Sequence, residues 1–187
     1  MAVLHVAQLG HPVLRRAAER VEPDSISSAA FQSFCDDLLQ TLEYYNGAGL
    51  AAPQVHVSRQ VVVLTMDTEK GPEFLINPKI DFIGDKRLRT WEGCLSVEGM
   101  RGAVDRPAHI RVRALSRYGD PVAYELLGYP AVVAQHECDH LRGVLYVDRF
   151  VPGTLVFLSE FQKHGPPEGW DTFGETDAGR VAATTVP

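Results

Sequence analysis

The sequence predicts an α+β fold, and three observations carry the prediction. One amphipathic helix comes early, a long stretch from 60 to 128 reads as strands, and a helix carrying His-Glu-x-x-His follows. Helices set apart from strands in this way do not make the alternating βαβ pattern of a parallel sheet. The 187 residues suit one domain. With 45% hydrophobic and 22% charged residues, the composition is that of an ordinary globular protein.

Residues 1–23 read as an extended entry punctuated by Pro12 and Pro23. Asp24 or Ser25 is placed to cap the first helix. Phe31, Phe34, Cys35, Leu38, Leu39, Leu42 and Tyr45 then recur at steps of three and four, tracing one apolar face. Cys35 lies on that face and reads as core. Asn46-Gly47 is a stop signal. "QVVVLTM" and "FLINPKI" are strand candidates, and "HIRVRAL" nearly alternates apolar and basic residues, as a half-exposed strand does. "YGDP" then turns the chain into "VAYELLG", a hairpin. The second helix starts near Pro130, a natural first helical residue, and runs to about Leu141, with Gly143 placed to end it. A third helix is expected over 153–165. The remainder is polar and rich in Gly, Pro and Thr. The expected organisation is one domain over 1–165 and a flexible acidic tail over 166–187.

Several classes of function are disfavoured. A net charge of −6 argues against a general nucleic-acid binder. The longest apolar runs, such as "VVVL", are far too short to span a bilayer. "MAVLHVAQLGHP" lacks the basic start and long apolar stretch of a signal peptide. Cys35, Cys94 and Cys138 are widely spaced and odd in number, which fits a reducing cytoplasm better than a disulfide framework.

The chemistry begins with "QHECDHLRG". His136 and His140, four apart, project from one helix face and can share a metal ion. Glu137 can approach a water on that ion, whose pKa such an ion lowers towards ~7, and can take and return its proton. Catalytic sites of this kind have three protein ligands and one open position. The third ligand has several candidates. The extended metalloprotease pattern HExxHxxGxxH matches through Gly143 but then meets Tyr146 instead of His. Glu160, 20 residues after His140, fits the spacing of a second protease class. Cys94, beside the small Gly93, offers a thiolate suited to Fe(II) or Zn(II). His5, His11, His56, His109 and His164 have no motif around them and read as ordinary histidines.

Three short motifs decide among these candidates by resemblance: "GAGLAAPQ" (47–54), "EGCLS" (92–96) and "QHECDH" (135–140). Complete, in this order and at these spacings, they resemble the peptide deformylases, and "GHPVLRR" and "LRGVLYVDR" are similar to the same family. The resemblance covers roughly residues 5–165. It implies antiparallel β-sheets around a central helix that carries the HExxH motif. It implies hydrolysis of the N-formyl group from the N-terminal formyl-methionine of newly made proteins, releasing formate. It implies one divalent metal held by Cys94, His136 and His140, with water in the fourth position. Fe(II) is the native ion in many members, and Zn, Ni or Co can take its place. Glu137 becomes the general base and acid. The Gln54 side-chain amide and the Leu95 backbone N–H become the donors that stabilise the oxyanion. The backbone around Gly49 bonds the substrate's main chain.

Val132 and Val133, one turn before the histidines, are natural lining for a methionine pocket, with Ala48 and Tyr129 nearby and Arg101 at the rim. Asp139 points elsewhere and is expected to pair with an arginine such as Arg106, and Cys138 projects away from the metal. Glu98 stands where many members have Pro, and Trp91 where many have an acid; both bear on peptide preference. The expected partners are formyl-Met nascent peptides, with transient proximity to the ribosome. The acidic tail argues against docking there, because phosphates repel it. No membrane or direct nucleic-acid partner is expected. The alternatives are a zinc endopeptidase using Glu160 and a deformylase-like domain that only binds formyl-peptides or metal.

Overall fold

The computed structural model describes residues 2–67, 71–166 and 180–184. In chain order the elements are α1 (Ala29–Tyr44), β1 (Gly49–Ala51), β2 (Val61–Asp67), β3 (Gly71–Phe82), β4 (Arg87–Cys94), β5 (Val97–Pro107), β6 (His109–Leu115), β7 (Pro121–Leu127), α2 (Tyr129–His140), β8 (Val156–Phe157), α3 (Leu158–His164) and β9 (Arg180–Thr184). Six strands form an antiparallel sheet in the order β1-β2-β3-β6-β7-β9, and β4-β5-β8 form a second. The α+β expectation holds, and α2 is the central helix.

Two helices sandwich the larger sheet. Val61 to Leu64 are all fully buried. Successive strand residues point to opposite faces. Val61 and Val63 therefore meet Cys35, Leu38 and Leu42 of α1, while Val62 and Leu64 meet Ala131 and Ala134 of α2. This explains an unbroken apolar run where a one-sided strand would alternate. Burial pushes the Cys35 thiol up to about 11, as a core cysteine requires. On its other side α2 packs Val132 against Leu88 of the second sheet and against Ala108, between β5 and β6.

The start of α1 differs from the sequence expectation. Its cap is Ser28, whose hydroxyl oxygen accepts from the Phe31 N–H at 3.3 Å, not Asp24 or Ser25. Pro23–Ser25 instead form a 3-10 turn, and the Ser25 and Ser28 hydroxyls donate back to Glu22 and Ser25 carbonyls. Those local bonds delay the helix. The stop is as expected: Asn46 takes a left-handed φ of 50°, and the Gly47 N–H reaches the Leu42 carbonyl.

The hairpin of β6 and β7 forms in the register Ile110↔Leu126. The third helix is shorter than expected. The Thr154 hydroxyl donates to the Val151 carbonyl and accepts from the Ala103 N–H, which holds this stretch against β5 as a turn. Val156 then pairs with Arg101 before α3 begins. Beyond 165, the expectation of a flexible tail meets a strand at Arg180–Thr184, which pairs with β7 in the register Leu126↔Val181. The short run "VAAT" is compatible with a strand, and the polar composition of the whole segment hides it. Glu168, Asp171, Glu175 and Asp177 lie outside the described residues.

Two edges matter for function. β1 ends the larger sheet and β4 ends the smaller one. Both present strand backbone to the cleft described next.

Candidate active site

Every residue of α2 from Pro130 to His140 is buried, although five of them are polar or charged. Buried polar groups need partners, so each asks what satisfies it. Gln135 donates to the Pro107 and Ala131 carbonyls. Asp139 receives Arg106 at 2.8 Å, as expected, and also Arg142 and Arg149. These ions hold its carboxyl below the usual range against the upward push of burial. His136, Glu137 and His140 remain, and all three turn towards one centre.

Cys94 reaches that centre from the end of β4. The β4–β5 register shifts between Glu92 and Cys94, a bulge that re-aims the side chain. The Cys94 sulfur lies 3.3 Å from His140 Nε2, and one ligand atom from each of Cys94, His136 and His140 falls within 4.8 Å of the others. Two N–H groups point at the sulfur, from Ser96 and from the Gln54 amide, both at 3.4 Å. His136 Nδ1 donates to Glu92 Oε2 at 2.8 Å, which leaves Nε2 for a ligand. Glu92 is held in turn by two bonds from Arg106.

This donor set fits a divalent cation. One thiol and two imidazoles match a catalytic site with three protein ligands. The electrostatics agree. Burial alone would lower His136, but Cys94 and Glu92 outweigh it and raise the imidazole well above its ordinary value. Burial and the neighbouring His136 hold His140 well below its ordinary value.

Glu137 stands beside this centre. Burial, with the charge of Glu92 adding to it, pushes its carboxyl up to about 7, while His136 and Arg106 pull down. Its Oε2 is buried and has no protein hydrogen-bond partner. Gly49 lies so close that a Cβ there would fall 2.8 Å from Glu137 Oε1. The glycine in "GAGLAAPQ" is thus needed for close approach, not for a turn. Gln54 is oriented from behind: its Oε1 accepts from the Ala51 N–H at 2.8 Å, so its NH₂ faces Cys94 and Ser96.

The cleft over this centre measures about 700 Å³. Its lining includes Ala48, Gly49 and Gln54, Cys94, Leu95 and Arg101, and Tyr129, Val132, Val133, His136 and Glu137 from α2. All the candidate residues read from the sequence therefore meet in one place, His140 through its contact with Cys94. Glu160 does not join them. It is exposed and pairs with Lys163 at 2.8 Å. Cys138 is likewise apart, its thiol pushed up to about 12 by burial.

The Polypeptide deformylase family model matches residues 3–155. The peptide deformylase of Leptospira biflexa is 41% identical over 171 residues, covering 86% of this chain and 94% of that protein. A crystal structure of the Thermotoga maritima peptide deformylase superposes with TM-score 0.76 at 36% identity, covering 81% of this chain and all of that one. The chain belongs to the polypeptide deformylase family. A Met-Ala-Ser-bound structure of the class I type b peptide deformylase from Acinetobacter baumannii also aligns, with TM-score 0.74 and 32% identity over 80% of this chain and 99% of that one.

Two supports of this deformylase site escape a reading of the sequence alone. Glu92 orients His136 from 44 residues away. The available signal was its place two before Cys94, in "EGCLS". Tyr146, the residue where the protease pattern expects His, stacks on the His136 ring at 6.2 Å between centroids. Only the fold brings it there.

Proposed function

We propose that this deformylase removes the formyl group from the N-terminal formyl-methionine of newly made proteins and releases formate. The observation that carries the reading is one cleft in which the Cys94–His136–His140 donor set, the unpartnered Glu137 carboxyl and the oriented Gln54 amide converge. Cys94, His136 and His140 would hold a divalent ion, Fe(II) natively, with Zn, Ni or Co as substitutes. When bound, that ion supplies Lewis-acid polarisation and a coordinated water of lowered pKa.

The remaining work falls to the chain. Glu137 takes a proton from the attacking water through Oε2 and delivers it to the leaving amine. Burial raises this carboxyl above its ordinary range, which favours a group that takes a proton and returns it. The Gln54 NH₂ and the Leu95 backbone N–H stabilise the oxyanion that develops on the formyl group. The substrate lies as an added strand between the open edges of β1 and β4, bonding backbone around Gly49. Ala48, Tyr129, Val132 and Val133 receive the methionine side chain, with Arg101 at the rim. A relative bound to Met-Ala-Ser supports a peptide substrate, since that peptide is a deformylated product in form.

Residues 1–165 constitute the catalytic domain in this reading, and the protein works in the cytoplasm, where nascent peptides and free thiols belong. Among the described residues no helix is long and apolar enough to cross a membrane. The test is formate release from formyl-Met-Ala-Ser by anaerobically purified protein. The expected result is rapid formate release with the Met-Ala bond intact, a ~10²–10⁴-fold loss in Glu137→Gln with metal retained, and metal loss in Cys94→Ser. Cleavage of the Met-Ala bond, or full activity in Glu137→Gln, would overturn the reading.

A further inference from the structure

The fold gathers three histidines that the sequence leaves scattered. His5 lies on the N-terminal segment, His11 caps the 3-10 turn Pro12–Arg15, and His56 closes the 3-10 turn Ala52–Val55 that carries Gln54. His56 Nε2 lies 3.5 Å from His5 Nδ1. Two nitrogens bound at about 2.0–2.1 Å to one tetrahedral ion sit ~3.4 Å apart. His11 stands over His56 with ring centroids 4.7 Å apart and planes at 85°. The catalytic pair gives an internal yardstick: His136 and His140 have centroids 5.0 Å apart and planes at 74°. His11 uses Nδ1 to accept from the Val13 N–H, so its Nε2 is the outward nitrogen. All three side chains are exposed, and binding requires a rotamer change that brings His11 to the His5–His56 pair. Among the described residues none of the three pairs with a carboxylate.

We infer that His5, His11 and His56 form a second metal site, on the surface at the mouth of the cleft, which takes a first-row transition cation such as Zn(II). Three imidazoles are a ligand set for such an ion, with the remaining position open to water.

The site has a mechanical consequence. The N-terminal segment is tied to the Gln54 loop by the Ala7 N–H bond to the Gln54 carbonyl at 2.7 Å, and to the Cys94 turn by the Leu9 N–H bond to the Ser96 carbonyl. His5 itself lines the cleft. An ion across His5, His11 and His56 clamps this segment to the loop that orients Gln54, so it stabilises the rim without touching the catalytic ion.

The experiment is zinc titration of the full-length holoenzyme in a zinc-buffered solution, with bound metal counted after gel filtration, for four proteins: wild type, His56→Asn, His5→Ala and Cys94→Ser. Asn tolerates the left-handed backbone at 56, where φ is 65°. The expected result is a second equivalent of zinc in wild type, lost in both histidine variants and kept in Cys94→Ser, which loses the first instead. Zinc should also raise the melting temperature of wild type and of Cys94→Ser, but not that of the histidine variants. A wild-type protein that binds only the equivalent lost in Cys94→Ser, or histidine variants that keep the second equivalent, would overturn the inference and leave the catalytic reading intact. Zinc unchanged in Cys94→Ser but reduced by the histidine variants would keep this site and count against the catalytic ligands.

Discussion

Replacing Gly49 by alanine tests the catalytic geometry at one atom. A Cβ at 49 would lie 2.7 Å from Glu137 Cγ, 2.8 Å from Oε1 and 2.9 Å from Cδ. Ordinary carbon contacts begin near 3.4–3.5 Å, so the carboxylate must retreat by about 0.7 Å. Misplacing a reacting group by about 1 Å costs ~10²-fold in rate. A retreat of this size therefore predicts a kcat about 30- to 100-fold lower, or about 2–2.7 kcal/mol in barrier. The backbone offers no competing explanation, since Gly49 does not have a positive φ and alanine suits its strand. The three atoms nearest the added methyl all belong to Glu137, none to Cys94, His136 or His140. The assay is steady-state formate release from formyl-Met-Ala-Ser, with metal content and melting temperature measured on the same preparation. Reduced kcat with unchanged metal is the expected pattern. A Gly49→Ala enzyme within threefold of wild-type kcat would refute both the contact and the placement of Glu137 at the reacting water.

The other predictions probe the supports of the site. Glu92→Gln removes the charge behind His136 Nδ1, so metal affinity should fall ~10–100-fold, read by competition with a chelator; unchanged affinity would separate Glu92 from the metal. Trp91 packs on Phe161, with ring centroids 4.8 Å apart and planes tilted at 43°, and lies three residues before Cys94 on the β4 edge. At about 3.3 Å per residue this puts it ~10 Å from the ligand, beside the second or third peptide residue. Trp91→Ala should therefore raise KM about two- to tenfold for peptides with an apolar third residue, without changing kcat on formyl-Met-Ala; an equal effect on both peptides would refute the placement. Asp105 is held below its ordinary carboxyl range by its two bonds from Arg89, against a smaller upward push from burial. A depressed folded pKa stabilises above the unfolded value and loses that stabilisation as pH falls through the folded one. Urea midpoints should show wild type above Asp105→Asn at pH 7, by less than about 1 kcal/mol for so exposed a pair. The gap should close below about pH 3.9, and a gap independent of pH would refute the linkage.

Legibility followed locality. The metal helix could be read because both imidazoles and the base lie within five residues, and the periodicity of the helix fixes their common face. β2, β3, β6 and β7 could be read because apolar runs and turns are local signals. β1 is three residues long, and β8 is two. Neither carries enough pattern to register alone; each exists because a neighbouring strand pairs with it. The start of α1 was misplaced because Asp24, Ser25 and Ser28 are all competent caps, and the choice depends on which hydroxyl bonds the turn before it. The resemblance supplied the third ligand. The structure is needed for the ion ladder Arg106–Glu92–His136, for the Gly49–Glu137 contact and for the meeting of His56 with His5 and His11, since each brings together distant parts of the chain.

The polar residues of α2 divide into two groups, and the division separates scaffold from chemistry. Gln135 and Asp139 find all their partners in the protein, in carbonyls and in three arginines. Satisfied in this way, they fix the rotation of the helix about its axis. Breaking such a buried pair from one side leaves an uncompensated charge worth about 3–5 kcal/mol, so the rotation is strongly held. Glu137 Oε2 and His140 Nδ1 are buried without a protein partner. Their cost is tolerated only where bound species or function return it. A helix that merely closed a core would place alanine or leucine at 136, 137 and 140. This one pins its rotation with Asp139 so that His136, Glu137 and His140 turn towards Cys94. Fold stability and catalytic aim thus depend on the same residue, Arg106, which holds Asp139 on α2 and Glu92 behind His136 at once.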